Sequence, residues 1–182
     1  ASVRRRALLL HHRPDLDIGL LRGNVNTRIA ALQDGQFDAI ILAVAGLRRL
    51  GLDVDYAPLD LAVMPPSAGQ GALAIQTRDR DDPRSLAVMA ASADLGCAKT
   101  TTEVTAERAL LGRLDGSCHT PIAASATCDE NGRLHLDGMI LSEDGRQAFR
   151  DRIDGFGSDA TQLGEALADQ LLGAAGGRHF LA

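Results

Sequence analysis

The chain has 182 residues, 45% of them apolar and 24% charged, enough material for one or two small domains with a real core. Its longest uninterrupted apolar run, residues 39–45, falls far short of the roughly 18 residues that a membrane helix needs, which argues against a membrane partner. An acidic balance of −5, only 3% aromatic residues and no recognition-helix pattern argue against nucleic-acid binding.

The sequence opens on Ala1-Ser-Val-Arg-Arg-Arg6 without an initiating Met, and the apolar stretch behind it is too short for a signal peptide. It reads as the interior of a longer protein. Residues 1–52 hold eight Arg against four Asp and no Lys, whereas the rest holds eleven basic residues against twenty acidic ones. Lysine would serve solubility equally well, but the planar guanidinium fork is matched to carboxylate or phosphate, so an anionic ligand is expected. A solvated basic surface is the alternative. Val25, Ile29 and Leu32 predict a short helix closed by Asp34-Gly35. Residues 37–44, almost continuously apolar, predict a strand buried on both faces, as in a parallel sheet, and residues 46–50 start another helix. The order helix, strand, helix implies an α/β layered domain.

Pro58, Pro65 and Pro66 interrupt any regular element between residues 53 and 66, and the small residues at 67–71 suit a close backbone approach. A strand at 72–77, a turn at 78–83 and a helix at 84–93 are expected next. Thr100 with Glu103 has the spacing of a capping box, with Ala106, Leu110, Leu111 and Leu114 as the apolar face behind it. That helix ends at Asp115-Gly116. Ser117, Cys118, His119, Thr120 and Pro121 then form a loop, because Pro121 disfavours helix at the residue before it. Residues 122–153 show three strand-like runs separated by two hairpin signals, at 129–132 and 142–145, which predicts an antiparallel meander. Ser158 is expected to cap a last helix with Leu163, Leu167 and Leu171 inward, ended by Gly173.

Cys97, Cys118 and Cys128 form no C-x-x-C pair, which suits a reducing compartment, and the cytoplasm is the expected location. Histidines 11, 12, 119, 135 and 179 lack the spacing of a zinc site, and no metal is expected. Cys128, in phase with Ile122, Ala124 and Ala126 on a strand, reads as a small buried apolar side chain, and Cys97 is read the same way. Cys118 differs. On a loop beyond a helix end its thiol can project into a cleft and act through the thiolate.

Four separated segments resemble the porphobilinogen deaminase (hydroxymethylbilane synthase) family, in the family's order. Leu21-Arg-Gly-Asn-Val-Asn-Thr-Arg28 resembles its R-G-N-V-x-T-R segment, and Ala43-Val-Ala-Gly-Leu-Arg-Arg-Leu-Gly51 its A-x-A-G-L-x-R-L run. Pro66-Ser-Ala-Gly-Gln-Gly71 is similar to its P-A-x-G-Q-G turn, and Gly116-Ser-Cys-His-Thr-Pro121 to its cofactor-bearing G-G-C-x-x-P loop. The sequence departs from the family at Ala1, where a second serine is usual before the Arg pair, at Ser67 in place of Ala, and at Ser117 in place of Gly.

The resemblance implies part of a two-lobe α/β body like that of periplasmic binding proteins, followed by a small α+β domain with a three-stranded antiparallel sheet and helices. Residues 1–66 would belong to the second lobe, residues 67–97 would return into a first lobe that is mostly absent, and residues 98–182 would form the C-terminal domain. It implies the stepwise head-to-tail condensation of four porphobilinogen molecules, with loss of ammonia, on a dipyrromethane held by a thioether to Cys118. It places Arg4, Arg5, Arg22, Arg28 and Arg49 on the carboxylates of the growing pyrrole chain, and Ser2 and Gln70 at polar positions near cofactor and substrate. Arg6 and Arg48 match no family ligand position and read as solvated neighbours; Gly69 and Gly71 read as backbone requirements. The family's catalytic aspartate falls upstream of Ala1, so this piece alone is expected to be inactive, and the protein to be a monomer. His119 is a weak candidate for an activating base, since adjacent residues seldom hold a productive geometry.

The rival reading is a non-catalytic small-anion binding module of the periplasmic-binding-protein type. The loop of Cys118 discriminates, because a binding protein has no use for a cofactor-bearing thiol. A cysteine hydrolase fails for want of a distant His with an orienting partner.

Overall fold

The computed structural model describes residues 2–78, 81–117 and 119–181. Helices α1 (Val3–His12), α2 (Val25–Gln33), α3 (Val44–Arg49) and α4 (Pro83–Ala93) precede α5 (Ala98–Arg113), strands β1 (Ile122–Cys128), β2 (Arg133–Leu141) and β3 (Ala148–Phe156), and α6 (Ala160–Ala174). The expected combination of helices with a three-stranded antiparallel sheet is present, in the order β1-β2-β3. Ile122 pairs with Ile140 and Cys128 with Leu134, and on the other side Arg133 pairs with Phe156 and Leu141 with Ala148.

Both hairpin turns are built by short polar side chains. Asp129 accepts from the amides of Asn131 and Arg133, and Ser142 donates to Asp144 while accepting from the amide of Gln147. Such local acceptors replace the ladder where the chain reverses. Alternation then sends Ile122, Ala124, Ala126 and Cys128 of β1 and Leu134, Leu136 and Ile140 of β2 to one face. There they bury against Ala106, Leu110 and Leu114 of α5 and Leu167, Ala168 and Leu171 of α6. The two helices lie close because position 164 has no side chain: a Cβ there would press on the Ala106 carbonyl oxygen and lie 2.7 Å from Ala109 Cβ. Ala123, Met139 and Leu141 point to the opposite face, where Ala7 and Leu8 of α1 cover them. The sheet is thus covered on both sides.

Several expected elements differ. Residues 37–44 form no strand; residues 39–43 run without a ladder into α3, and Ile40, Ile41 and Leu42 are only half-buried. Residues 72–77 likewise pair with nothing among the described residues, leaving Leu73 84% and Ile75 59% exposed. A strand buried on both faces needs neighbouring strands, and the meander is the only sheet among the described residues. Thr100 and Glu103 do not form a capping box: α5 begins at Ala98 with Cys97 in the cap position, and Glu103 instead accepts from the amide of Cys128 at 2.9 Å. Ser158 lies in a short 3₁₀ turn ahead of α6 and donates to Asp159, so it does not cap that helix. α1 is an element the sequence did not announce, although Ser2 precedes it as an N-cap.

Candidate functional site

Helix α1 places the first two arginines. Ser2 accepts from the Arg5 amide at 3.4 Å, starting the helix so that consecutive side chains diverge. Arg4 turns inward and is only 6% exposed; its Nη1 donates to the Pro65 carbonyl and its Nη2 to Gln70 Oε1 at 3.0 Å. Both partners are neutral. Burial, with the charge of Arg5 added, lowers the Arg4 pKa to about 10, so the guanidinium remains charged at neutral pH.

Arg5 is half-buried, with Nη1 3.5 Å from the Ile41 carbonyl, and its pKa is lowered by burial and then by the charge of Arg28. That coupling joins α1 to α2. Asn24 caps α2 by accepting from the Thr27 amide at 2.9 Å and its hydroxyl at 3.0 Å, and Arg28 Nε reaches back to the Gly23 carbonyl at 2.9 Å. The Arg-Gly-Asn-Val-Asn-Thr-Arg motif is therefore a helix start that holds one arginine ahead of the helix and one on its first turn. Arg22 is exposed, and Arg49 is exposed at the end of α3. Among the described residues, none of Arg4, Arg5, Arg22, Arg28 and Arg49 forms a salt bridge, although Arg113, Arg150, Arg152 and Arg178 all do. Arg4, Arg5 and Arg28 are close enough for their charges to act on one another, whereas among the described residues no contact joins Arg22 or Arg49 to them. Like charges with neutral partners repel, and an anion with several carboxylates would relieve that repulsion.

Behind Arg4 lies the glycine-rich turn. The Gln70 amide donates to the Ser67 carbonyl at 3.0 Å, with Gly69 at φ +68° in the position where a tight turn demands a left-handed residue. Gln70 Oε1 also accepts from the Ser67 amide at 3.3 Å, so this side chain binds its own turn and Arg4 together. The turn is fastened to the sheet twice. The Pro66 carbonyl accepts from the Ala124 amide at 3.0 Å, and Glu107 of α5 accepts from the Gly69 amide at 2.7 Å and the Ala126 amide at 2.8 Å. Burial pushes the Glu107 carboxyl above the ordinary glutamate range, with the two amide donors pulling the other way. Sequence reasoning missed Glu107. The available signal was an acidic residue beside the apolar stripe of Ala106, Leu110 and Leu114.

The Pro66 contact holds the turn at the start of β1, three residues after Pro121. Around that loop the Ser117 amide donates to Thr120 Oγ1 at 3.3 Å, the His119 amide to Ser117 Oγ at 3.1 Å, and the Thr120 amide to the Ser117 carbonyl at 3.2 Å. Cys118 itself lies outside the described residues. Cys128 is buried in the core as expected, but Cys97 is exposed, contrary to its reading as an apolar core residue. It occupies the cap position of α5, where the Thr100 hydroxyl and amide lower its thiol pKa. A cleft of about 740 Å³ beside it is lined by Leu73, Ile75, Met89 and Leu95 and includes none of the five arginines.

Helices α1 and α2 thus carry Arg4, Arg5 and Arg28 without carboxylate partners among the described residues, beside a sheet that helices cover on both faces. A family model described as porphobilinogen deaminase, dipyromethane cofactor binding domain, matches residues 1–85, and the porphobilinogen deaminase C-terminal domain matches residues 101–173. The chain belongs to the porphobilinogen deaminase family. It is 48% identical over 182 residues to the porphobilinogen deaminase of Trichlorobacter lovleyi, covering 100% of this chain and 56% of that protein. Identity is 47% over 182 residues to the enzyme of Pelobacter propionicus, covering 100% and 57%, and 44% to that of Nitrobacter hamburgensis, covering 99% and 56%. The chain spans about half the length of the curated relatives it matches. No helix among the described residues is long and apolar enough to cross a membrane.

Proposed function

We propose that this chain supplies the carboxylate-holding face and the cofactor-attachment loop of a hydroxymethylbilane synthase, which condenses four porphobilinogen molecules head to tail with loss of ammonia. The observation that carries the reading is the group of five arginines on a lysine-free segment, without a carboxylate partner among the described residues. Each pyrrole of the chain brings two carboxylates, so the demand for fixed cations grows as the product lengthens. Forked donors suit that demand geometrically as well as electrostatically. When bound, the dipyrromethane cofactor supplies the primer on which the chain is extended.

The donor set fits that group. Arg5, Arg22, Arg28 and Arg49 would hold its acetate and propionate arms and those of the growing chain, while Arg4, tied to Gln70 and Pro65, adds a buried charge behind them. Ser2 caps α1 by accepting from the Arg5 amide, and among the described residues its hydroxyl proton, like Gln70 Nε2, stays free to donate to the ligand. Cys118 would carry the thioether. In forming it, the sulfur bonds to the methylene carbon of a porphobilinogen unit, the carbon–nitrogen bond breaks, and the nitrogen leaves as ammonia with the thiol proton. Cys128 is buried in the core, and Cys97 lies on a different loop. A cytoplasmic location is the accompanying reading, supported by cysteines without C-x-x-C spacing, and a monomer is proposed with it. So is the division into residues 1–66, 67–97 and 98–182, of which the boundary near residue 98 is supported by family matches that leave residues 86–100 between them.

The test is intact-mass measurement on the full-length protein. Cys118→Ser is expected to abolish the covalent dipyrromethane adduct, while Cys97→Ser and Cys128→Ser retain it. An undiminished adduct in the Cys118 variant overturns the attachment. This chain by itself, given porphobilinogen in a colour assay for tetrapyrrole, is expected to show no turnover.

A further inference from the structure

Among the described residues Glu107 is the only acidic side chain that is buried, and it joins two parts of the chain that share no covalent neighbour. Oε1 takes the Ala126 amide on the outer edge of β1, and Oε2 takes the Gly69 amide at the apex of the glycine-rich turn. Glu103, one helical turn earlier, takes the Cys128 amide from the same strand edge. With the Pro66 carbonyl on Ala124, these acceptors satisfy the outward amides at 124, 126 and 128 of an edge strand. Edge capping needs one acceptor oxygen, as Glu103 shows. The second oxygen of Glu107 holds the residue next to Gln70, and Gln70 Oε1 holds Arg4.

We propose that Glu107 is a positioning residue of the anion-holding face: through Gly69 and Gln70 it sets where the Arg4 guanidinium sits relative to the β1 edge, without touching the ligand. The kinetic consequence rests on the deaminase reading; the positional one does not. Glu103 provides an internal control, because it caps the same strand from the same helix but makes no hydrogen bond to the turn among the described residues.

Glu107→Gln keeps the shape but can accept from only one of the two amides, presenting a donor to the other. Glu107→Asp keeps both oxygens on a stem one methylene shorter, and serves if the Gln variant does not fold. In full-length protein, Glu107→Gln is expected to accelerate hydrogen exchange of the Gly69 amide at least about tenfold and to shift the Arg4 side-chain resonances. It should raise the KM for porphobilinogen about tenfold while kcat stays within about twofold, the pattern of lost ground-state binding. Glu103→Gln should leave all four readouts within about twofold, even where it lowers thermal stability comparably. Unchanged Gly69 exchange in the Glu107 variants, an equal response in Glu103→Gln, or a loosened turn with unchanged KM would each overturn the proposal. If wild-type protein does not turn over porphobilinogen, the deaminase reading fails, and the Gly69 and Arg4 signals alone decide the position of the turn.

Discussion

The arginines before residue 66 and those after residue 98 live under opposite rules. Arg113 pairs with Asp169, Arg150 and Arg152 share Asp137, Arg146 pairs with Asp144 and Arg178 with Asp115, so most arginines of the C-terminal region are paired internally. In the N-terminal region, Arg13 pairs with Asp15, while the arginines of the candidate site meet only backbone carbonyls and an amide. Apolar surface divides the same way. Leu20, Leu50, Leu61, Leu73 and Leu95 are all more than half exposed, whereas beyond residue 98 Phe156 alone is a large exposed hydrophobic among the described residues. The C-terminal region pairs most of its arginines and leaves little large apolar surface exposed, although α1 supplies the cover for one face of its sheet. The N-terminal region leaves the arginines of the candidate site without carboxylate partners among the described residues, and several leucines exposed.

The contrast can be broken by substitutions in each region. The largest effect is expected from Leu110→Ala, which opens a cavity between α5, α6 and the sheet and should cost about 2–5 kcal/mol of unfolding free energy in chemical denaturation. A loss below about 1 kcal/mol would show that this core is not self-sufficient. Next, Arg28→Leu in the full-length protein should cost about 1.5–3 kcal/mol of ligand binding, read as a tenfold to hundredfold rise in KM, with the unfolding midpoint unmoved. Arg28→Lys should restore only part, since the charge returns without the fork. Wild-type turnover in Arg28→Leu would reduce the N-terminal cations to a solvated surface.

Arg113→Ala removes an exposed pair with Asp169 and should change stability by no more than about 1 kcal/mol, measured by the same denaturation. The smallest effect concerns pH. The folded-state pKa of Glu107 is raised, so its contribution is fully present below the ordinary glutamate range and is lost as pH rises through the raised value. The stability difference between wild type and Glu107→Gln should therefore shrink from acid toward neutral pH. A difference that grows over that interval would mean that the two amide donors outweigh burial.

Local patterns were legible in the sequence. The meander followed from strand-like runs and two polar hairpin signals, α2 from its periodicity and boundary residues, and α4 from the charged turn before it, because these depend on neighbours within a few positions. The membership of the family was also legible, since four short motifs keep their order. What the sequence misjudged depended on distant partners. The run at 37–44 has the composition of a buried strand but finds no strand beside it, and Thr100 with Glu103 has the spacing of a capping box but Glu103 is drawn to the edge of β1. Cys97 has no local signal that would set it apart from Cys128, yet one caps a helix in solvent and the other fills the core. The expectation of an anionic ligand rests on a lysine-free arginine segment, a property of composition. That Arg4 is buried against Gln70, and that Glu107 ties their turn to the sheet, was decided only by tertiary structure, because the hydrogen bonds responsible join residues 66 and 38 positions apart.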